Sequence, residues 1–229
     1  MPSGAPPEGP PENLKERLRA TYDVIAPKYN DWTARHHHYR LRYLEALTGA
    51  CPKLVDQGAS PRVVELGCGQ GEPFLSTLLS GAGAGATAVA NDMSGVQLDL
   101  ARRNLAAHAG RVEFAEGDME SLDFPEGSVT AVAALYSVLH LPAARQGEMM
   151  ARAARWLEPG GCLLLNVPVQ ATAHAVMDGW LHEDGWVYFS GLGREATADR
   201  LRELGLRVVV DNVESDEQES FVWFIAEKM

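Results

Sequence analysis

Between Val63 and Pro73 the chain reads VVELGCGQGEP: a carboxylate, Glu65, followed by Gly67, Gly69 and Gly71 at alternate positions behind an apolar run. Glycines where a strand turns into a helix bare the backbone to a ligand, and a helix start offers free N–H groups. That much suits a nucleotide-like ligand. Glu65, close to the carboxyl end of the strand, favours a cation and opposes a pyrophosphate. Asp92 comes twenty-one residues after Gly71, in VANDMS at the end of the next apolar run, where a carboxylate can accept from both ribose hydroxyls. Asp118, in EGDMESLDFP beyond a third run, can accept from an exocyclic amine such as that of adenine. Three acids at the ends of three successive strands describe a ligand with a ribose, an amine-bearing base and positive charge. His140, in YSVLHL near the end of a fourth strand, is the candidate general base, because its ordinary pKa lies near working pH; the other reading is a ring that only shapes its loop.

Other reactive side chains are assigned no chemistry. His36, His37 and His38 are consecutive, so on a helix they point about 100° apart and cannot converge on a metal as an i, i+4 pair can. A polar helix face is expected there, and no metal. Cys68 lies inside the glycine loop with no neighbouring base or cation to activate it. With Cys51 and Cys162 it makes an odd set without CxxC spacing, which suits a reducing compartment.

The elements that must carry these groups follow from the hydrophobic pattern. The 229 residues, with a formal charge of −11, suffice for one α/β domain. That charge repels phosphate backbones, so no nucleic-acid partner is expected. With no membrane-length apolar run and no signal-peptide pattern, no membrane association is expected and the chain is read as cytoplasmic. Residues 1–11, with five prolines, read as a disordered tail, and 12–229 as the single domain. Leu14, Leu18, Tyr22 and Ile25 recur at helical spacing until Pro27 interrupts, and a second helix runs from Tyr39 to Ala50. From Arg62 the pattern alternates. Strands are predicted at 62–67, 87–91, 111–115, 129–136 and 161–167, with helices at 73–79, 94–107 and 143–157 between them. A helix over 196–204 and strands at 207–213 and 221–226 follow. This β-α-β order implies a parallel sheet with ligands at the carboxyl ends of its strands, finished by an antiparallel pair. The small-residue run Gly81 to Ala88 precedes a strand rather than following one and reads as a plain connection. Residues 168–193 carry Met177, Trp180, Trp186, Tyr188 and Phe189 and read as a substrate-side insertion. Trp186 and Tyr188 are assigned to the pocket, Trp180 and Phe189 to the core, and His182, Glu183 and Asp184 to solvent.

Taken together these segments resemble the class I S-adenosylmethionine-dependent methyltransferases, in the small-molecule branch that includes the quinone methyltransferases. VVELGCGQG is similar to the family's first motif, VANDMS to its second, EGDMESLDFPEGSV to its third, AALYSVLHL to its fourth and LEPGGCLLL to the stretch entering the fifth strand. YDVIAPKYNDW resembles the N-terminal cap of that branch, here residues 12–55. The resemblance implies a Rossmann-like, seven-stranded sheet with an antiparallel C-terminal strand and S-adenosylmethionine across the first three strand ends. It implies that Glu65, Gly67, Cys68, Gly69 and Gly71 surround the methionine part, with Gly67 allowing the closest approach. Asp92 would hold the ribose, Met93 would lie against the adenine, and Asp118 and Met119 would take its amine and ring edge. Tyr136 would border the methionine moiety. Tyr22 and Tyr29 would close over the methyl donor, which makes Tyr29 a catalytic candidate beside His140. Asn91 departs from the family, which more often has an apolar residue or glycine there. The implied activity is methyl transfer to a small molecule through an oxygen, nitrogen, sulfur or carbon atom. The alternatives are a nicotinamide-dependent oxidoreductase, disfavoured by Glu65, GxGxG spacing and Asp118, and a non-catalytic partner subunit of a methyltransferase.

Overall fold

A computed structural model describes residues 9–56, 58–81, 83, 85–216 and 219–229. Its elements, in order, are α1 (Leu14–Thr33), α2 (His37–Ala50), β1 (Arg62–Leu66), α3 (Phe74–Ser80), β2 (Thr87–Asp92), α4 (Gly95–Asn104), β3 (Val112–Glu116) and β4 (Val129–Ala134). Then come α5 (Ala143–Trp156), β5 (Leu157–Pro168), β6 (Thr172–Asp178), β7 (Trp186–Gly191), α6 (Arg194–Glu203), β8 (Leu206–Ser215) and β9 (Ser220–Lys228).

Seven strands form one sheet in the order β3-β2-β1-β4-β5-β9-β8. The first five pair in parallel, and β9 runs antiparallel to both β5 and β8. The order reverses at β1, so the ends of β1 and β4 splay apart and open a crevice at the carboxyl edge. Central strands are covered on both faces, which is why they are apolar runs rather than alternating ones; every residue of β4 is buried. On one face Val64, Leu66, Val132 and Leu165 pack with Met149, Met150 and Trp156 of α5. On the other, Val63, Ala131, Ala133 and Leu164 meet Tyr43, Leu44 and Leu47 of α2 and Phe74, Leu75 and Leu78 of α3. Glu65 shares the face of Val63, two residues before it, so the strand's period turns it toward the α2 side.

Two expectations are corrected. Pro27 does not interrupt the first helix: α1 runs through it, with Ile25, Ala26 and Asn30 buried around it, so tertiary packing outweighs the lost backbone bond. The predicted strands leave out residues 168–193, the substrate-side insertion, where β6 and β7 pair as a separate antiparallel hairpin. Residues 1–8 of the expected disordered tail, and Ala82 and Ala84 of the small-residue connection, lie outside the described residues. Among the described residues no helix is long and apolar enough to cross a membrane.

Candidate active site

The three acids and the glycine turn meet at the carboxyl ends of β1, β2 and β3. Gly67, Gly69 and Gly71 all have positive φ, at 74°, 54° and 77°. The reasons differ from those expected. A Cβ on Gly67 would lie 2.5 Å from Cβ of Ser137, and one on Gly71 would lie 2.8 Å from Leu105, so both glycines admit the chain's own packing. Gly71 accordingly lies behind the cleft wall and does not line it. Gly67 and Gly69 both line the cleft, and Gly69 also holds an acid of the site. Its N–H donates to Asp92 Oδ2 at 2.8 Å, while the Ser94 N–H donates to Oδ1 at 2.9 Å. Burial still pushes the Asp92 carboxyl up to about 6. Asn91, the departure noted above, is a stitch: its Nδ2 donates to the carbonyls of Ala115 and Gly117, both at 2.9 Å, tying the end of β2 to the turn after β3. Cys68 lines the cleft, and burial followed by the charges of Asp92 and Glu65 holds its thiol well above the ordinary range, which removes it as a nucleophile.

Helix α1 lies over this cleft on two adjacent stripes. Leu14, Leu18 and Tyr22, each four residues apart, line it. Lys15, Arg19 and Asp23 fasten it. Lys15 bridges Asp118 and Glu120, Arg19 reaches Glu116 at 3.0 Å, and the Ser94 hydroxyl donates to Asp23 at 2.6 Å. Asp118 also accepts from the Glu120 N–H at 2.9 Å, and Met93 and Met119 line the cleft beside it.

The far end of the cleft contains a buried carboxyl and a buried guanidinium. Glu65 is 4% exposed, its Oε2 has no hydrogen-bond partner, and burial pushes its carboxyl up to about 8. Arg40, 7% exposed, donates to Thr33 Oγ1 at 3.0 Å with its guanidinium 4.7 Å from the Tyr136 ring centre. An unsatisfied buried acid and a buried guanidinium on one cleft wall match the ammonium and carboxylate of an amino acid. Arg40 was missed from sequence, although it sits at helical spacing with Tyr43, Leu44 and Leu47 on the buried stripe of α2. A charge on an apolar stripe was the available signal. Tyr136 takes the left-handed conformation, φ 57°, held by its N–H donating to buried Asn166 at 2.7 Å.

A second cavity, of about 500 Å³, adjoins the first and shares Tyr22, Tyr29, Thr33, Tyr136 and His140 with it. At that junction Tyr22 Oη and His140 Nε2 are 2.7 Å apart, and His140 Nδ1 is 2.8 Å from the Tyr188 carbonyl oxygen. Burial lowers His140 to about 4, so the ring is neutral at working pH. The outer walls correct the assignment of the hairpin aromatics. Phe189, Val187 and Trp180 line this cavity, whereas Trp186 and Tyr188 do not. Alternation along β7 explains it: Trp186 and Tyr188 share the other face, buried in a cluster with Leu14 and Leu18 of α1. Trp180 instead reaches from the hairpin tip onto the rings of Tyr22, Tyr29 and Trp32, with centroids 6.0, 5.8 and 5.7 Å away.

The histidine run is corrected too. His36 is 3% exposed and stacks on Tyr136, with Asp216 and Glu219 oxygens at 3.2 and 3.3 Å. Asp216 lies 180 residues away in sequence and Glu219 three further, beyond any spacing rule. A metal there would compete with Arg35, which donates to Glu219 at 2.8 Å and to His36 Nε2 at 3.2 Å.

The order-reversing sheet, the glycine turn and the acids at three strand ends form the pattern of the class I S-adenosylmethionine-dependent methyltransferases. Residues 63–161, β1 into β5, match the family model described as a methyltransferase domain. It is 30% identical over 190 residues to the 27-O-demethylrifamycin SV methyltransferase of Amycolatopsis mediterranei (strain S699), covering 79% of this chain and 58% of that protein. The chain thus spans a little over half the length of that relative. In fold it resembles a 1,6-didemethyltoxoflavin-N1-methyltransferase of Burkholderia thailandensis, with TM-score 0.70 at 17% identity over 99% of this chain and 93% of that one. It also resembles the magnesium protoporphyrin IX methyltransferase of Synechocystis PCC 6803, with TM-score 0.64 at 17% identity over 94% and 97% of the two chains.

Proposed function

We propose that the protein transfers the methyl group of S-adenosylmethionine to a hydroxyl of a largely apolar small molecule. The observation that carries this reading is the pair of adjoining cavities, which share Tyr22, Tyr29, Thr33, Tyr136 and His140. In this reading Glu65 and Arg40 hold the amino-acid end of the cofactor, Asp92 the ribose and Asp118 the adenine amine. The cofactor supplies an activated methyl on a sulfonium, so the chain's residues have to orient the acceptor, exclude water and take a proton. Aromatic and aliphatic walls from α1, the β6–β7 hairpin and Phe221 suit a planar or macrocyclic body. A hydroxyl must lose a proton on methylation, and neutral His140 at the junction is the base for it. The relative named for an O-methylation of rifamycin supports the same acceptor atom.

The test is a labelled-methyl assay with hydroxylated polycycles and macrolactams, 27-O-demethylrifamycin SV among them, beside calorimetric titrations with S-adenosylhomocysteine and NAD. Labelled product and micromolar S-adenosylhomocysteine binding are expected. Binding of NAD alone would overturn the cofactor assignment, and cofactor binding without transfer to any hydroxyl would overturn the acceptor assignment.

A further inference from the structure

The hydrogen bonds around His140 fix its tautomer. Nδ1 faces the Tyr188 carbonyl at 2.8 Å, and a carbonyl only accepts, so Nδ1 carries the hydrogen. The lone pair of the neutral ring is then on Nε2. Tyr22 Oη stands 2.7 Å from Nε2, so its phenol must donate there. The base is therefore capped: its lone pair is already engaged by Tyr22, whose oxygen keeps its own lone pairs. Tyr22 is also held in place, its ring edge-on to those of Tyr29, His140 and Trp180 at 5.2, 5.5 and 6.0 Å. Both side chains line the cofactor cleft and the acceptor cavity alike.

We propose that Tyr22 is a catalytic residue, the proton relay between the acceptor hydroxyl and His140. The inference rests on the reading of His140 as base. In the step, the acceptor O–H bond breaks and its proton passes to Tyr22 Oη as the Tyr22 proton passes to His140 Nε2. The acceptor oxygen forms a bond to the methyl carbon while the carbon–sulfur bond breaks, its electron pair remaining on sulfur in S-adenosylhomocysteine. The positive charge moves from sulfonium to imidazolium, whose Nδ1–H stays on the Tyr188 carbonyl, and the proton leaves to water afterwards. Burial, with Tyr29 and Asp92 nearby, holds the Tyr22 phenol well above its ordinary range, so it is not itself the base but can pass a proton on.

The experiment has an arm that needs no acceptor. Nitrogen NMR of histidine-labelled protein with S-adenosylhomocysteine bound, His140 being assigned by its loss in His140→Gln, should show an Nδ1–H tautomer. Its Nε2 signal should move toward that of a free lone pair in Tyr22→Phe. An Nε2–H tautomer, or an Nε2 signal indifferent to Tyr22→Phe, overturns the relay. The second arm compares naphthol with para-nitrophenol at about pH 8, where the more acidic nitrophenol arrives largely ionised and naphthol does not. Tyr22→Phe should lower kcat for naphthol about a hundredfold, with a loss for para-nitrophenol under a tenth as large. Equal losses on both probes would assign Tyr22 to packing and overturn the relay. If His140→Gln leaves naphthol turnover intact, it is the reading of the base that fails. If the wild type methylates neither phenol, the tautomer decides.

Discussion

Cofactor binding should expel a proton, and Glu65 is its source. In the free protein this carboxyl is 4% exposed, has an oxygen without a partner, and is pushed up to about 8 from an ordinary 4.5. At pH 7 roughly nine-tenths of the molecules therefore carry Glu65 protonated. An ammonium on its free oxygen favours the ionised form, so complex formation must release close to one proton per site. The difference between about 8 and 4.5 corresponds to about 5 kcal/mol, the part of the ion pair's attraction spent on ionising the acid at low pH. Because the free protein binds the extra proton, affinity should rise nearly tenfold per pH unit up to about 8 and then level off. The assay is calorimetry of S-adenosylhomocysteine binding at pH 7 in phosphate and in Tris, whose ionisation enthalpies differ widely. The apparent enthalpies should differ by about one proton's worth. In Glu65→Gln that difference should vanish and affinity should fall by about 1.5–3 kcal/mol, roughly ten- to a hundredfold. Equal enthalpies in both buffers, proton uptake, or release that survives in Glu65→Gln would refute the reasoning.

The same carboxyl should make the ligand-free protein less stable as pH rises from about 4.5 toward 8, since the folded state binds more protons than the unfolded one there. Glu65→Gln should flatten the thermal midpoint across the upper half of that range, and an unchanged slope would assign the effect elsewhere. Gly67→Ala should cost about 2–4 kcal/mol in denaturant titrations, from left-handed strain and the overlap with Ser137. Adding Ser137→Gly should recover about half of it, and no recovery would show that the overlap is not the cause. Asp92→Ala removes the acceptor for the Gly69 and Ser94 N–H groups as well as the ribose partner, so S-adenosylhomocysteine should bind about a hundredfold more weakly by calorimetry. Trp186→Ala should cost about 3–5 kcal/mol of stability and Phe189→Ala about 1, because the first ring is buried against α1 and the second borders a cavity. Equal costs would contradict the facing of β7.

What could be read from the chain in advance was whatever short-range pattern controls. The apolar runs behind Glu65 and Asp92 are buried on both faces and the run behind Asp118 is a half-buried edge strand, and the β-α-β spacing of the three suffices to place three acids at three strand ends. The β6–β7 hairpin escaped because its outer strand is largely exposed, leaving Val176 and Met177 in solvent and no clean alternation to detect. Trp186 and Phe189 changed places for a related reason: composition marks a segment as aromatic, but only the strand's pairing decides which face meets α1. Arg40 and His36 depend on partners far along the chain, Glu65 and Tyr136 for the first and Asp216 and Glu219 for the second. No local rule reaches those partners, although its place on the buried stripe of α2 marks Arg40 itself. Pro27 shows the converse, a strong local signal overruled by packing.

The two stripes of α1 tie cofactor exchange to catalytic competence. Lys15, Arg19 and Asp23 clip the helix to the loops beside the nucleoside subsite, and Tyr22 on the same helix reaches His140. A helix lifted far enough to let a nucleoside through must draw Tyr22 away from the histidine. The clips and the Tyr22–His140 contact are already made without a ligand, so the proposed relay and the cover of the cleft stand or fall with the seating of one helix.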